Sequence, residues 1–220
     1  MRAAAPSEQQ FAPESVFAHI QSRLTLVAPA RDCPAGALAL GDHALNEPTA
    51  RVAHCASARS AAVLVGLVAY PGEVRVILTQ RAAALRVHSG QIAFPGGKIE
   101  AQDASPIAAA LREAHEEIGL DIRHVEPLGY LDPFLTGTGF YILPVVAKVT
   151  PPLVLEINPH EVEDAFEVPF AFLMDAANHT RDAREFDGRM RHFYAMPYGE
   201  RYIWGVTAGI LRNLYERLYS

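Results

Sequence analysis

The chain is poor in cysteine, in excess positive charge and in long apolar runs, and each scarcity excludes something. Two cysteines, Cys33 and Cys55, occur in 220 residues and form no C-x-x-C pair. That excludes a disulfide-dense scaffold, and two unpaired thiols fit a reducing compartment, the cytoplasm. Lys and Arg number 19 against 25 Asp and Glu, a net charge of −6. Such a balance lacks the basic face of a non-specific nucleic-acid binder. The longest apolar run, Ala61 to Tyr70, stops at Pro71-Gly72 after ten residues, whereas a membrane-spanning helix needs about 20. Neither a nucleic-acid nor a membrane partner is expected. The opening MRAAAPSEQQ lacks the apolar stretch of a secretory signal. None of the nine histidines stands at zinc-ligand spacing from either cysteine.

What remains is an ordinary globular composition, 50% hydrophobic and 20% charged, which excludes a largely disordered chain. Residues 1–60 read as an N-terminal arm. A helix is expected after Pro13, where Val16, Phe17, Ile20 and Leu24 recur at helical spacing. Residues 28–57, rich in Ala, Pro and Gly, read as extended coil. A domain over 61–220 follows. Ala61 to Tyr70 suits a buried strand, and the alternation from Val74 to Thr79 suits a second. Further strands are expected over Val125–Leu131 and Phe140–Val149. Asp187-Gly188 marks a hairpin with His192–Met196 returning. A closing helix is expected from Ile203 to Leu218, with Ile203, Val206, Ile210, Leu211, Leu214 and Leu218 on one face. Ser105 to Ile118 is the best-punctuated helix, with a Ser N-cap, Pro106 at the first position and Gly119 after the last turn. The fold class is α/β (α+β), a mixed β-sheet between helices.

That helix carries charges it should not favour. Glu113, Glu116 and Glu117 stand at i, i+3 and i+4 on one stripe, with Ile107, Leu111, Ala114 and Ile118 opposite. Like charges so spaced cost a helix about 0.2–0.5 kcal/mol per pair. Anions near its C-terminus oppose the macrodipole by roughly 0.3–1 kcal/mol each. A divalent cation would reverse the sign of both effects. A solvated acidic face is the ordinary fate of a charge run, but this one has company. Upstream, Phe94-Pro95-Gly96-Gly97-Lys98 lets backbone approach a ligand closely. Strand, glycine turn and carboxylate helix in that order make a pocket for a metal-bound polyphosphate, and hard oxygen donors suit Mg²⁺ or Mn²⁺. Other motifs fail. His115-Glu116 has Gly119 where a metalloprotease helix has its second His, and Gly97-Lys98 is followed by Ile99 where a P-loop has its hydroxyl.

Gly97-x5-Asp103-x8-Arg112-Glu113-Ala114-His115-Glu116-Glu117-Ile118-Gly119-Leu120 resembles the Nudix box, G-x5-E-x7-R-E-U-x-E-E-x-G-U. Asp103 stands where the box has Glu, and one extra residue separates it from Arg112. The run from Leu78 to Gly97, with Arg81, Leu85-Arg86, His88, Gly90, Ile92 and Phe94-Pro95-Gly96-Gly97, is similar to a second signature carried by the coenzyme A pyrophosphatase branch. So is Tyr198-Gly199-Glu200-Arg201-Tyr202-Ile203-Trp204-Gly205 ahead of the closing helix.

The resemblance implies a Nudix-type α/β/α sandwich. It also implies Mg²⁺- or Mn²⁺-dependent hydrolysis of the diphosphate of coenzyme A or its derivatives, to 3′-phosphoadenosine 5′-phosphate and 4′-phosphopantetheine. Glu113 and Glu117 are then the expected metal ligands, and Glu116 a third ligand or the group orienting water. Gly97 would lend a carbonyl to the metal, and Arg112 would brace the carboxylates. Glu161, in Asn158-Pro159-His160-Glu161, is the candidate general base, with the alternative role of a surface acid. Arg81, Arg86, His88, Gln91 and Lys98 are the candidate substrate contacts. Two other readings stay open: a Nudix hydrolase of ADP-ribose, NADH or a dinucleoside polyphosphate, and a non-catalytic nucleotide-binding module. The arm offers a surface for a homodimer contact.

Overall fold

The computed structural model describes residues 11–33, 40–41, 45–46, 55, 57–84, 89–186 and 188–220. Helix α1 (Pro13–Arg23) and the two-residue strand β1 (Leu40–Gly41) precede the long strands β2 (Arg59–Tyr70) and β3 (Glu73–Arg81). Short strands β4 (Ile92–Ala93) and β5 (Gly96–Lys98) lead to α2 (Pro106–Ile118). Strands β6 (Val125–Tyr130), β7 (Phe134–Leu135), β8 (Phe140–Val149) and β9 (Val162–Pro169) follow, then one turn of helix α3 (Phe170–Leu173). The hairpin β10 (Thr180–Phe186) and β11 (Arg189–Tyr198), strand β12 (Arg201–Trp204) and helix α4 (Val206–Tyr219) complete the chain.

Nine strands form one mixed sheet, with β1-β7-β8-β2-β3-β4 in order and β5, β6 and β9 paired to β2, β8 and β3. β2 and β8 run parallel from Arg59 opposite Phe140 to Val68 opposite Val149. Both faces of β2 are covered, which is why its sequence is continuously apolar rather than alternating. On one face Leu64, Val68, Ile77 and Val145 pack against Ala109, Ala110, Ala114 and Ile118 of α2. On the other, Val65, Leu67, Val76 and Leu78 pack with Val16, Phe17 and Ile20 of α1 and with Ile210, Leu211 and Leu214 of α4. The result is the α/β/α sandwich expected. The three strands β10-β11-β12 make a separate antiparallel sheet.

Several elements differ from expectation. Ile203 lies in β12 rather than in the closing helix, because Gly205, at φ 62°, ends the strand and starts α4 at Val206. Leu40–Gly41, within the stretch read as coil, pairs with Phe134–Leu135. Strand β9 has no alternation to announce it. It exists because β3 offers it an open edge. Asp187 lies outside the described residues. Cys33 and Cys55 are not free thiols: they form a disulfide across a sequence separation of 22, their Cα atoms 5.4 Å apart. Two cysteines without a motif carry no signal of proximity, and folding supplied it. With both thiols joined, the cysteines no longer point to a reducing compartment. Among the described residues, no helix is long and apolar enough to cross a membrane.

Candidate active site

Helix α2 positions most of the acidic groups. The Ser105 hydroxyl accepts the Ala108 N–H at 3.1 Å, and Pro106 occupies the first turn. Gly119, at φ 65°, closes the helix in the left-handed conformation and donates its N–H to His115 O at 2.9 Å. These caps fix where the helix begins and ends, and its small residues Ala109, Ala110 and Ala114 meet the sheet. Glu117, one turn beyond Glu113, is drawn into the same buried flank and is 3% exposed. The three glutamates therefore do not share one solvated face. Glu116 is about half exposed, Glu113 is mostly covered and Glu117 is buried.

The glycine segment is a strand rather than an open loop. Gly96 and Gly97 pair with Val63 and Ala62 of β2, and Leu64 donates its N–H to Pro95 O at 2.8 Å. Only glycine fits at Gly96, where a Cβ would come within 2.6 Å of Val63 Cα. Gly96 donates its N–H to Glu117 Oε2 at 3.2 Å. Gly97 lies directly under Glu113, whose carboxylate oxygens would be 2.5 Å from an added Cβ. The two glycines thus let two carboxylates lie against bare backbone.

Arg112 ties the cluster together through all five of its N–H donors. Nε and Nη2 bond Asp103 Oδ1 and Oδ2 at 3.1 and 3.0 Å. Nη1 bonds Glu113 Oε1 at 2.9 Å and Glu116 Oε2 at 3.0 Å, and Nη2 also reaches Lys98 O at 3.1 Å. Asp103 itself accepts the Glu100 N–H at 2.7 Å. The shorter side chain and the extra residue before Arg112 therefore still deliver a fork-to-fork pair, because the turn at Glu100–Asp103 brings the carboxylate in. A planar guanidinium is suited to this and an ammonium is not.

The electrostatics divide the acids into two kinds. The Arg112 guanidinium, against the cost of burial, holds the Asp103 carboxyl below the usual range. Burial pushes Glu113 up despite Arg112. It pushes Glu117 up to about 7, with Glu113 and Glu161 adding to the rise and the Gly96 N–H and Arg81 opposing it. Glu161 is therefore close enough for its charge to be felt at both glutamates. Its carboxylate accepts from Asn158 Nδ2 at 3.3 Å, and its carbonyl accepts the Ala82 N–H at 3.0 Å. Asn158 in turn donates its own N–H to Glu117 O at 2.8 Å. Motif reading gave Asn158 no role; an Asn-Pro turn beside a candidate base was the signal available.

Arg81, at the end of β3, has a buried Nε with no hydrogen-bond acceptor among the described residues. Its charge reaches Glu117. Gln91 accepts the Arg81 N–H through its carbonyl at 3.0 Å, so these two lie side by side. Lys98 is exposed, and its backbone rather than its ammonium meets Arg112. Arg86 and His88 lie outside the described residues.

Among the described residues, no three acidic or histidine side chains converge as a closed metal shell. Glu113 and Glu116 are turned toward Arg112, and Glu117 toward Gly96. The donor set still fits a hard cation. It holds two buried or mostly buried carboxylates that lack a full complement of partners, with a half-exposed third beside them.

The NUDIX domain model matches residues 60–190. The chain belongs to the Nudix family. A Cronobacter sakazakii protein described as an uncharacterized Nudix hydrolase, NudL, is 43% identical over 157 residues, 71% of this chain and 81% of the relative. A Klebsiella pneumoniae protein of the same description is 41% identical over 162 residues, 73% of this chain and 83% of that one. The NUDIX domain of Shewanella oneidensis NrtR, cocrystallised with ADP ribose, shares 18% identity and a TM-score of 0.46 over 72% of this chain and 86% of its own. The protein is thus a Nudix hydrolase, an enzyme that cleaves diphosphate bonds in nucleoside diphosphate derivatives. Nudix hydrolases generally use divalent metals such as Mg²⁺ or Mn²⁺.

Proposed function

We propose that this Nudix hydrolase cleaves the diphosphate of coenzyme A or its derivatives, releasing 3′-phosphoadenosine 5′-phosphate and 4′-phosphopantetheine. The observation that carries the reading is the buried Arg81 Nε, without an acceptor among the described residues, beside the carboxylate cluster. A buried donor left unpaired costs free energy, and a phosphate oxygen would satisfy it. The run from Leu78 to Gly97 that contains Arg81 is the one similar to the coenzyme A branch. A substrate with a diphosphate and a separate 3′-phosphate calls for several cations, and Arg81, Arg86, His88 and Lys98 are assigned to it, with Gln91 as a neutral hydrogen-bond partner.

Glu113 and Glu117 would hold Mg²⁺ or Mn²⁺, with Glu116 and the Gly97 carbonyl completing the protein's share. When bound, such a cation neutralises phosphate oxygens and lowers the pKa of water. Arg112 keeps Glu113 and Glu116 aimed across the glycine strand while its other edge is anchored on Asp103. Glu161, steadied by Asn158, takes the proton of the attacking water at a carboxylate oxygen. The water oxygen bonds phosphorus as the bridging P–O bond breaks, and two phosphomonoesters leave. Residues 61–220 carry this chemistry.

The test offers coenzyme A, ADP-ribose, NADH and a dinucleoside polyphosphate in parallel to the purified protein with Mg²⁺ or Mn²⁺, separating products by chromatography. Preferential release of 3′-phosphoadenosine 5′-phosphate from coenzyme A is expected. Slow turnover of coenzyme A beside rapid hydrolysis of another substrate rejects the assignment.

A further inference from the structure

Strand β10 is the outer strand of the three-stranded sheet, and in its sequence Arg181-Asp182-Ala183-Arg184-Glu185 each charge is mirrored about Ala183 by one of opposite sign. The direction of its backbone groups can be read from its neighbour. Ala183 stands opposite His192 of β11. The peptide groups of His192 are turned the other way, donating N–H to Asn46 Oδ1 at 2.8 Å and accepting from Asn46 Nδ2 at 2.9 Å. Ala183 and His192 are therefore a non-hydrogen-bonded pair, and the N–H and C=O of Ala183 face away from β11. Its N–H is accordingly taken by Asp182 Oδ1 at 2.7 Å. By the two-residue period, Arg181 and Glu185 face their backbone groups the same way.

We propose that this edge pairs antiparallel with β10 of a second copy of the chain, about a two-fold axis at Ala183. In that register Arg181 stands opposite the partner's Glu185, and Asp182 opposite the partner's Arg184. Each pair occurs twice by symmetry, as an isologous contact requires. Facing residues lie on the same side of the joined sheet, so every charge meets its opposite. A slip of one residue pair either way would set Asp182 against the partner's Asp182, or Arg184 against the partner's Arg184. The register is thus pinned by repulsion.

The side chains are already arranged for it. The Arg184 guanidinium lies 4.8 Å from the Trp204 ring and 5.5 Å from that of Tyr202, and Asp182 Oδ2 accepts from the Tyr202 hydroxyl at 2.6 Å. Arg181 lies 5.6 Å from the Tyr194 ring on the other face. Arg181, Asp182, Arg184 and Glu185 are all exposed, and the small Ala183 sits where the two backbones approach. On pairing, the Ala183 N–H exchanges Asp182 Oδ1 for the partner's Ala183 carbonyl. Charges on an edge strand ordinarily keep copies apart. Here they alternate in sign so that copies attract. The proposal uses none of the residues assigned to hydrolysis and stands whichever substrate is found.

The test is the sedimentation-equilibrium mass of the full chain over a concentration series reaching the upper micromolar range, with circular dichroism as the control for folding. Wild type is expected to reach the mass of two chains. Arg181→Glu and Glu185→Arg, each alone, should weaken association by about tenfold or more. An equimolar mixture of the two variants should recover it, because each then meets its complement, and so should the double exchange. Rising salt should weaken the wild-type dimer. A wild type that stays monomeric throughout overturns the proposal. So does a dimer indifferent to both single variants, or a mixture that fails to recover.

Discussion

Replacing Glu117 with Gln should make the protein more stable and much less active, and the size of the effect follows from burial. Glu117 is 3% exposed, and its carboxyl is pushed from 4.5 up to about 7 mainly by burial. The folded state therefore holds a proton that the unfolded chain has released between those two values. Stability contributed here is fully present below about pH 4.5 and is lost as pH rises toward 7. At 1.36 kcal/mol per pKa unit, the ionised carboxylate costs about 3 kcal/mol above neutrality when no cation is bound. Gln keeps the shape and can still accept the Gly96 N–H, but it carries no charge to bury. At about pH 8 without divalent metal, Glu117→Gln should gain about 2–3 kcal/mol, a rise in Tm of roughly 5–10 °C for a chain of this length. Near pH 4.5 the two proteins should melt together. Mg²⁺ or Mn²⁺ should stabilise the wild type by mass action and the variant far less. Turnover should fall by roughly 10²–10³. Thermal melts over pH, with and without cation, measure every part of this. A variant less stable than wild type at high pH, or one sharing its pH dependence, would refute the burial argument.

Other outcomes follow from the same geometry. Arg112→Lys should cost about 2–4 kcal/mol by chemical denaturation, since an ammonium cannot serve Asp103, two glutamates and Lys98 O at once. Asp103→Asn should flatten the acid limb of the stability profile. The Asp103 carboxyl is depressed in the folded state, so its contribution is present above the unfolded value and is lost as pH falls through the folded one. Gly97→Ala should retain the fold and lose metal affinity in calorimetry, because the added methyl meets the end of a flexible Glu113. Gly96→Ala meets β2 backbone instead and should cost about 1–3 kcal/mol of stability. Glu161→Gln should lower kcat by about 10²–10⁴ with little change in KM, and an unchanged kcat would remove Glu161 as the base.

The local parts of this protein were legible along the chain because they depend on neighbours in sequence. The caps of α2, the spacing of Glu113, Glu116 and Glu117, and the extent of β8 are all short-range matters. Strand β9, the short strand formed by Gly96–Lys98, and the start of α4 after Gly205 were not legible, since each depends on an edge or backbone supplied from elsewhere. The same division runs through the site. Arg112 was readable as a brace, but its grip on Asp103 depends on the turn at Glu100–Asp103.

By itself the amino-acid order determined the family, the mixed sandwich and which acids crowd one helix, because periodicity, capping and motif spacing are properties of a linear chain. Only the folded protein decided that Glu117 is buried while Glu116 stays wet, and that Asn158 links Glu161 to the helix end. It alone joined Cys33 to Cys55 and turned the outer edge of β10 to solvent. Burial, long-range pairing and the direction of a peptide group are relations between distant residues, and the order of residues does not contain them.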